Sequence, residues 1–277
     1  MNTSIRTRSR TRLTTALLLA LTATGLGVSG TVGDEPAAAT SARARSSATQ
    51  VADVFTEAAP WAGITINDDF TDRLTDVTHL LATHRPLVVG VQEGKQTAYA
   101  PQVRQDLRRR YGVRQDDRHD GAAGVAVLWN RTHARPIGAD EDAPDRLGGG
   151  WLELLPAGEG LLARGVVWQD LELSTDAGAV RVRVASTHRP PQRDQHLWPA
   201  FDRALTTFVA ASPLPVMVFM DANEDGGPAA LERRTGLTWH GVGIDGVLTD
   251  LAAPAAPTAL DRRHSDHHAV LIPLDVS

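Results

Sequence analysis

Short apolar runs that stop abruptly on an acid, an amide or an imidazole constrain this chain more than any other feature. Leu87–Glu93 reads LVVGVQE, and Pro215–Asn223 reads PVMVFMDAN. Such runs fit strands covered on both faces, because an exposed face would alternate apolar with polar residues. Ala62–Asn67, Ala123–Trp129, Gly165–Leu173, Ile244–Leu248 and Ala269–Leu274 are further predicted strands. In Val180–His188 the valines alternate with Arg181 and Arg183, which predicts a strand with one wet face. Helical spacing joins Phe70, Leu74, Val77, Leu80 and Leu81 behind an N-cap at Asp68 or Asp69, and Pro86 stops that helix. Ala100–Tyr111, Pro199–Ala211 and Ala229–Arg234 are the other predicted helices, the first exposed and rich in arginine. Gly148–Gly150 is expected to be a flexible loop, since no helix start follows it. Buried and half-exposed strands mixed with helices imply a layered α/β protein. Periodicity leaves open whether its sheets are parallel or mixed.

The N-terminus reads as an export signal. Arg6, Arg8, Arg10 and Arg12 precede the apolar run Leu13–Leu26, and small residues follow at Ala37–Ala39. The run is short for a membrane span, and no later run is long and apolar enough to be one. Residues 1–45 are therefore expected to be signal peptide and disordered linker, and residues 51–277 one secreted domain. An uncleaved N-terminal anchor is the alternative. Residues 1–45 hold 6 arginines and 2 acids, which leaves 22 basic and 31 acidic residues in the remainder, a net charge of −9. That balance argues against a non-specific polyanion binder. The chain has no cysteine, which excludes disulfides and thiolate metal ligands.

Six strand ends carry only Asn, Asp, Glu or His: Asn67, Glu93, His188, Asp221 with Asn223, Asp245, and Asp266 with His267. Strand ends along one edge of a layered fold are where sites are commonly built. Hard cations take oxygen ligands, often one or two carboxylates with water and substrate phosphate. Glu93 suits that task, because its charge follows a fully apolar strand and is costly unless paired. A histidine serves as general base or phosphate partner near neutral pH. Asp221 and Asn223, two apart on an extended strand, would project to one side. Asp221 would then hold an attacking water and Asn223 a phosphate oxygen. Arg189, beside His188, is a candidate substrate contact. His264, His267 and His268 with Asp261 and Asp266 offer a zinc site as an alternative.

The ordered set Asn67, Gln92-Glu93, Thr187-His188, Asp221-Ala222-Asn223, Ile244-Asp245 and Ser265-Asp266-His267 resembles the endonuclease/exonuclease/phosphatase superfamily, the DNase I-like fold. The strand at Gly124–Trp129 resembles a core strand of that family. The resemblance covers residues 62–274 and implies a four-layer α/β/β/α sandwich of two packed mixed sheets. It implies Glu93 as principal metal ligand, with Asn67 and Asp266 near the metal. His267 matches the catalytic histidine, Asp245 the carboxylate that orients it, and His188 the histidine on the scissile phosphate. Asp221 and Asn223 match the pair that activates water and orients phosphate. The implied cofactor is Mg²⁺, with Mn²⁺ or Ca²⁺ as alternatives. The implied activity is hydrolysis of phosphate esters. An extracellular nuclease acting on DNA or RNA as a monomer is the leading expectation. A phospholipid or small-molecule phosphoesterase, and a non-catalytic binding module retaining the fold, are the alternatives.

Overall fold

The two longest apolar runs lie in two different sheets that face each other. The protein is described from a computed structural model covering residues 50–56, 77–93, 110–115, 124–140, 142–158, 162–175, 178–261 and 267–276. In chain order the strands are β1 (Gln50–Thr56), β2 (Val88–Gln92), β3 (Tyr111–Gln115), β4 (Ala126–Asn130), β5 (Ala134–Pro136), β6 (Ala139–Asp140) and β7 (Gly148–Leu155). They continue with β8 (Arg164–Thr175), β9 (Gly178–His188), β10 (Val216–Asp221), β11 (Thr238–Val242), β12 (Asp245–Thr249), β13 (Thr258–Ala259) and β14 (Val270–Pro273). One sheet runs β13-β14-β1-β2-β4-β3, and the other β11-β12-β10-β9-β8-β7-β6, with β5 paired to β8. Both are mixed. β1 lies parallel to β2 and antiparallel to β14, while β10 lies parallel to β9 and antiparallel to β12.

Three α-helices lie among the described residues, α1 (residues 77–84), α2 (Trp198–Ala211) and α3 (Ala229–Thr235), with a 3-10 helix at Gln192–Leu197 leading into α2. Val77 and Leu81 of α1 pack on Val89, Val91 and Leu128, the outer face of the first sheet. Phe201, Leu205 and Phe208 of α2, with Leu231 of α3, pack on Trp168, Val218 and Met220, the outer face of the second. Val88, Val127, Val167, Val184, Met217, Phe219 and Ile272 fill the space between the sheets. This is the α/β/β/α sandwich expected from the resemblance. It explains the unbroken apolar runs, since β2 and β10 are buried along their whole length. The sheets approach closely at Gly90, where an added Cβ would lie 2.0 Å from Cβ of Phe219. Two buried hydrogen bonds cross between the sheets there. Gln92 donates Nε2–H to Ser186 Oγ at 3.0 Å, and that hydroxyl donates to the Val91 carbonyl at 2.8 Å.

Three expectations change. Gly148–Gly150 is not a loop but the start of β7. Glycine serves close approach there, because a Cβ at Gly149 would lie 2.6 Å from Gln169 Oε1 and 2.7 Å from Arg114 Nε. The predicted wet face of β9 is wet only in part. Arg181 is exposed beside Glu172, whereas Arg183 is fully buried against Asp170 under the rings of Trp168 and Phe208. Burial of a charge under an aromatic helix face leaves no trace in alternation, so the pattern alone misplaced it. The strand β1 lies in a segment that carried no strand expectation, and Tyr111 begins a strand where a helix was expected to end. The expected leader (residues 1–45), the expected strand at residues 62–67, and most of the expected helix at residues 100–111 fall outside the described residues.

Candidate active site at the joined strand ends

Register alone brings three of the expected residues side by side. β10 pairs His188 of β9 opposite Asp221 on one flank, and Asp245 of β12 opposite Asp221 on the other. The other sheet contributes from across the sandwich. Glu93 is the first residue beyond β2, and His267 precedes β14. His188 Nε2 lies 3.2 Å from Asp221 Oδ2, and its Nδ1 lies 3.6 Å from Glu93 Oε1. His267 Nδ1 is hydrogen-bonded to Asp245 Oδ2 at 2.8 Å. The structure therefore gathers Glu93, His188, Asp221, Asp245 and His267. Asn67 and Asp266 lie outside the described residues.

The turn after β10 differs from the expected extended geometry. The strand ends at Asp221, and Asn223 has a positive φ of 52°. Its main-chain N–H is held by Asp221 Oδ1 at 2.9 Å, a local side-chain turn that ends the strand. The Asn223 amide donates to the Arg189 carbonyl at 2.9 Å. Glu93 also has a positive φ, 56°. Left-handed non-glycine residues are strained and cluster where function over-determines the backbone. Both of these bear carboxylate or amide groups at the site.

Arg189 is not placed among these groups. It is 1% exposed, its Nε and Nη2 donate to the two oxygens of Asp202 at 3.0 and 2.7 Å, and its Nη1 donates to Glu224 at 2.6 Å. The Trp198 ring covers it, with the guanidinium carbon 4.1 Å from the centroid. The expected substrate contact is instead a brace between α2 and the turn carrying Asn223. Burial pushes the Asp202 carboxyl up, against the pull of Arg189. His268, one of the histidines of the zinc alternative, turns Nδ1 onto the Leu260 carbonyl at 2.6 Å.

Sequence reasoning missed Arg164. It opens β8, is 4% exposed, and donates from Nη1 to His188 Nδ1 at 3.1 Å. The available signal was a single arginine between Ala163 and Gly165 at the head of an apolar strand. Burial lowers its pKa from the ordinary arginine value, while Glu93 and Asp221 work to hold its charge.

The electrostatics favour a cation. Burial pushes Glu93 up from the usual carboxylate range and Asp221 adds to this, while His188 and Arg164 pull it down. Burial also works to raise Asp221, but His188, His267 and the main-chain N–H of Asn223 together hold it below its ordinary value. Asp221, Asp245 and His267 each offer a ligand atom within 4.8 Å of the others. The hydrogen bond between Asp245 and His267 by itself accounts for part of that closeness. Glu93 is half-buried, and its raised pKa marks a carboxyl whose charged form would gain from a positive neighbour.

Glu93→Gln tests this. A carboxyl raised on folding takes up a proton, so its contribution to stability is lost as pH rises from the usual carboxylate range through its folded pKa. Glu93→Gln should therefore raise the Tm of the chelator-treated protein near pH 7 by about 2–4 °C, the shift for roughly 1 kcal/mol in a domain of this size. The advantage should vanish in acid, and stabilisation by added Mg²⁺ or Mn²⁺ should be lost. A lowered Tm at pH 7 would make Glu93 a structural ion-pair residue instead.

No family model matches the sequence, and no curated protein does. Solved structures match in shape. An endonuclease/exonuclease/phosphatase family protein from Bacteroides thetaiotaomicron superposes with a TM-score of 0.61 at 14% identity, over 82% of this chain and 97% of its own. The chain has the endonuclease/exonuclease/phosphatase fold. Two further structures with this fold are TDP2 of D. rerio complexed with single-strand DNA product (TM-score 0.57, 12% identity, 82% of this chain and 100% of that one) and a mannosyl-6-phosphatase from Bacteroides thetaiotaomicron (TM-score 0.53, 13% identity, 80% and 99%). At these identities the likeness concerns the fold. Within the endonuclease/exonuclease/phosphatase fold, Glu93, His188, Asp221, Asp245 and His267 meet at one end of the sandwich, where strand ends of both sheets converge.

Proposed function

We propose that this chain is a secreted, Mg²⁺-dependent phosphoesterase that hydrolyses phosphodiester bonds in nucleic acid. The observation that carries the reading is the convergence of two carboxylate–imidazole pairs, Asp221 with His188 and Asp245 with His267, beside the half-buried Glu93. Water attacks phosphorus in line with the leaving oxygen. Asp221 accepts a hydrogen from that water and orients it, a task suited to a carboxylate held ionised. His188 and Asn223 contact the phosphoryl oxygens. His267, oriented by Asp245, serves as the acid–base group for the proton in transit between the attacking water and the leaving oxygen. A divalent cation held by Glu93, with Asn67 and Asp266 as further ligands, would supply positive charge to the phosphoryl oxygens. The net charge of −9 outside residues 1–45 fits an enzyme that relies on such a cation at its site rather than on a broad basic surface. The apolar run behind four arginines supports export.

The purified chain is to be assayed against plasmid DNA and bis-p-nitrophenyl phosphate, with Mg²⁺ and with EDTA. Cleavage of both, lost in EDTA, is the expected result. Hydrolysis of p-nitrophenyl phosphate without either diester would replace the nuclease reading with a phosphomonoesterase. No turnover of any of the three in Mg²⁺ or Mn²⁺ would remove the proposed catalysis.

A further inference from the structure

The two imidazoles of the site face opposite kinds of partner. His267 turns Nδ1 onto a carboxylate oxygen of Asp245 at 2.8 Å. An ionised carboxylate only accepts, so Nδ1 carries the hydrogen and Nε2 keeps a lone pair. His188 turns Nδ1 onto Nη1 of Arg164 at 3.1 Å. A guanidinium only donates, so here Nδ1 keeps the lone pair and the hydrogen sits on Nε2. That Nε2 faces Asp221 Oδ2 at 3.2 Å, a partner that accepts. Glu93 Oε1 approaches the same Nδ1 but stays at 3.6 Å, beyond hydrogen-bond reach.

We propose that Arg164 is a positioning residue that fixes His188 as its Nε2–H tautomer, so that the site holds one histidine set to donate and one set to accept. The backbone supports this placement. β8 and β9 pair in the register Val166 opposite Thr187, and Thr187 donates its hydroxyl to the Gly165 carbonyl at 2.7 Å. These contacts hold the head of β8, and with it Arg164, beside the end of β9 that carries His188. Glu93 and Asp221 provide the negative surroundings that keep a buried guanidinium there. The consequence rests on the phosphoesterase reading: the single N–H of His188, now directed at Asp221, is the hydrogen that a bound phosphoryl oxygen would share with that carboxylate, while His267 offers a lone pair to a proton. Which nitrogen acts would then be decided by the residue behind each ring.

The test is the tautomer itself. The full chain, labelled with ¹⁵N-histidine and freed of metal, is measured by long-range ¹H–¹⁵N correlation at one fixed, mildly alkaline pH. His188→Gln assigns the signals. The expected result is a hydrogen on Nε2 of His188 and on Nδ1 of His267. Arg164→Lys, which keeps a donor, should retain the His188 pattern, whereas Arg164→Met should mix or reverse it. In the Mg²⁺-dependent assay Arg164→Met should lose roughly 10–100-fold in kcat, the usual effect of removing an orienting partner, with part of it restored in Arg164→Lys. A hydrogen on Nδ1 of His188 in the unsubstituted protein, or an unchanged His188 signal in Arg164→Met, would overturn the proposal. The unsubstituted spectrum decides even if Arg164→Met does not fold. It also reads the proposal separately from function, since a chain that cleaves no phosphate ester still reports its tautomers.

Discussion

His267→Ala is expected to lower kcat for phosphodiester cleavage by about 10²–10⁴-fold, the range for a positioned acid–base group. The fold should survive at a cost of about 1–3 kcal/mol, because the buried Asp245 carboxylate loses its imidazole partner. Asp245→Asn should cost a comparable factor for a different reason. The amide keeps the shape of the side chain but can present N–H to Nδ1, which would turn the hydrogen onto Nε2 and remove the acceptor. Because the two residues act as one unit through the 2.8 Å bond, the double substitution should lose little more than the worse single one. Steady-state kinetics of the four proteins, with circular dichroism spectra beside them, measure this cycle. Additive losses, or turnover within tenfold of the unsubstituted enzyme in His267→Ala, would remove His267 from the reaction.

Asp170→Ala is expected to cause the largest loss of stability, about 3–5 kcal/mol, as for a buried ion pair with one partner removed. Asp170 and Arg183 are direct cross-strand partners on β8 and β9, both fully buried. The carboxylate takes Nε and Nη2 of Arg183 at 2.7 and 2.8 Å and also accepts the Gly148 N–H at 2.8 Å. The guanidinium continues to the carbonyls of Pro144 and Arg146, so the pair ties the segment before β7 to the sheet. Removing Asp170 leaves a cation among the rings of Trp168 and Phe208 with its best acceptor gone. In urea the unfolding midpoint should fall with little change in slope, and Tm should drop on the order of 10 °C. Replacing both, as Asp170→Leu with Arg183→Met, should recover most of the loss, because an apolar pair costs no desolvation of charge. A double replacement as damaging as the single one would mean that the carbonyl contacts of Arg183, not the ion pair, hold the fold.

The charged residues were not equally legible. Glu93, Asp221 and Asp245 were legible because each stands at the end of an apolar run, where a charge is costly unless paired, and His188 because it closes a strand of alternating valines. Arg164, Arg183 and Arg189 were not. All three are arginines buried against partners far away in sequence, and a linear pattern treats an arginine as a surface residue. Arg189 sits next to a site histidine and was expected on the substrate, but its carboxylate partners lie 13 and 35 residues on. Asn223 was assigned to the site, yet its backbone was misread, because the hydrogen bond from its own N–H to Asp221 ends the strand two residues early.

By itself the sequence determined the layered α/β class, the strands that had to be buried, and which polar residues stood at their ends. Those follow from local physics: continuous apolar runs need cover on both faces, and ionisable groups next to them need partners. Periodicity left open whether the sheets are mixed, which the resemblance implied, and the tertiary structure alone decided their strand order and register and which cation stands behind which carboxylate or imidazole. Those depend on register between strands and on packing between sheets, where residues such as Gln92 and Ser186, 94 positions apart, come into hydrogen-bond contact.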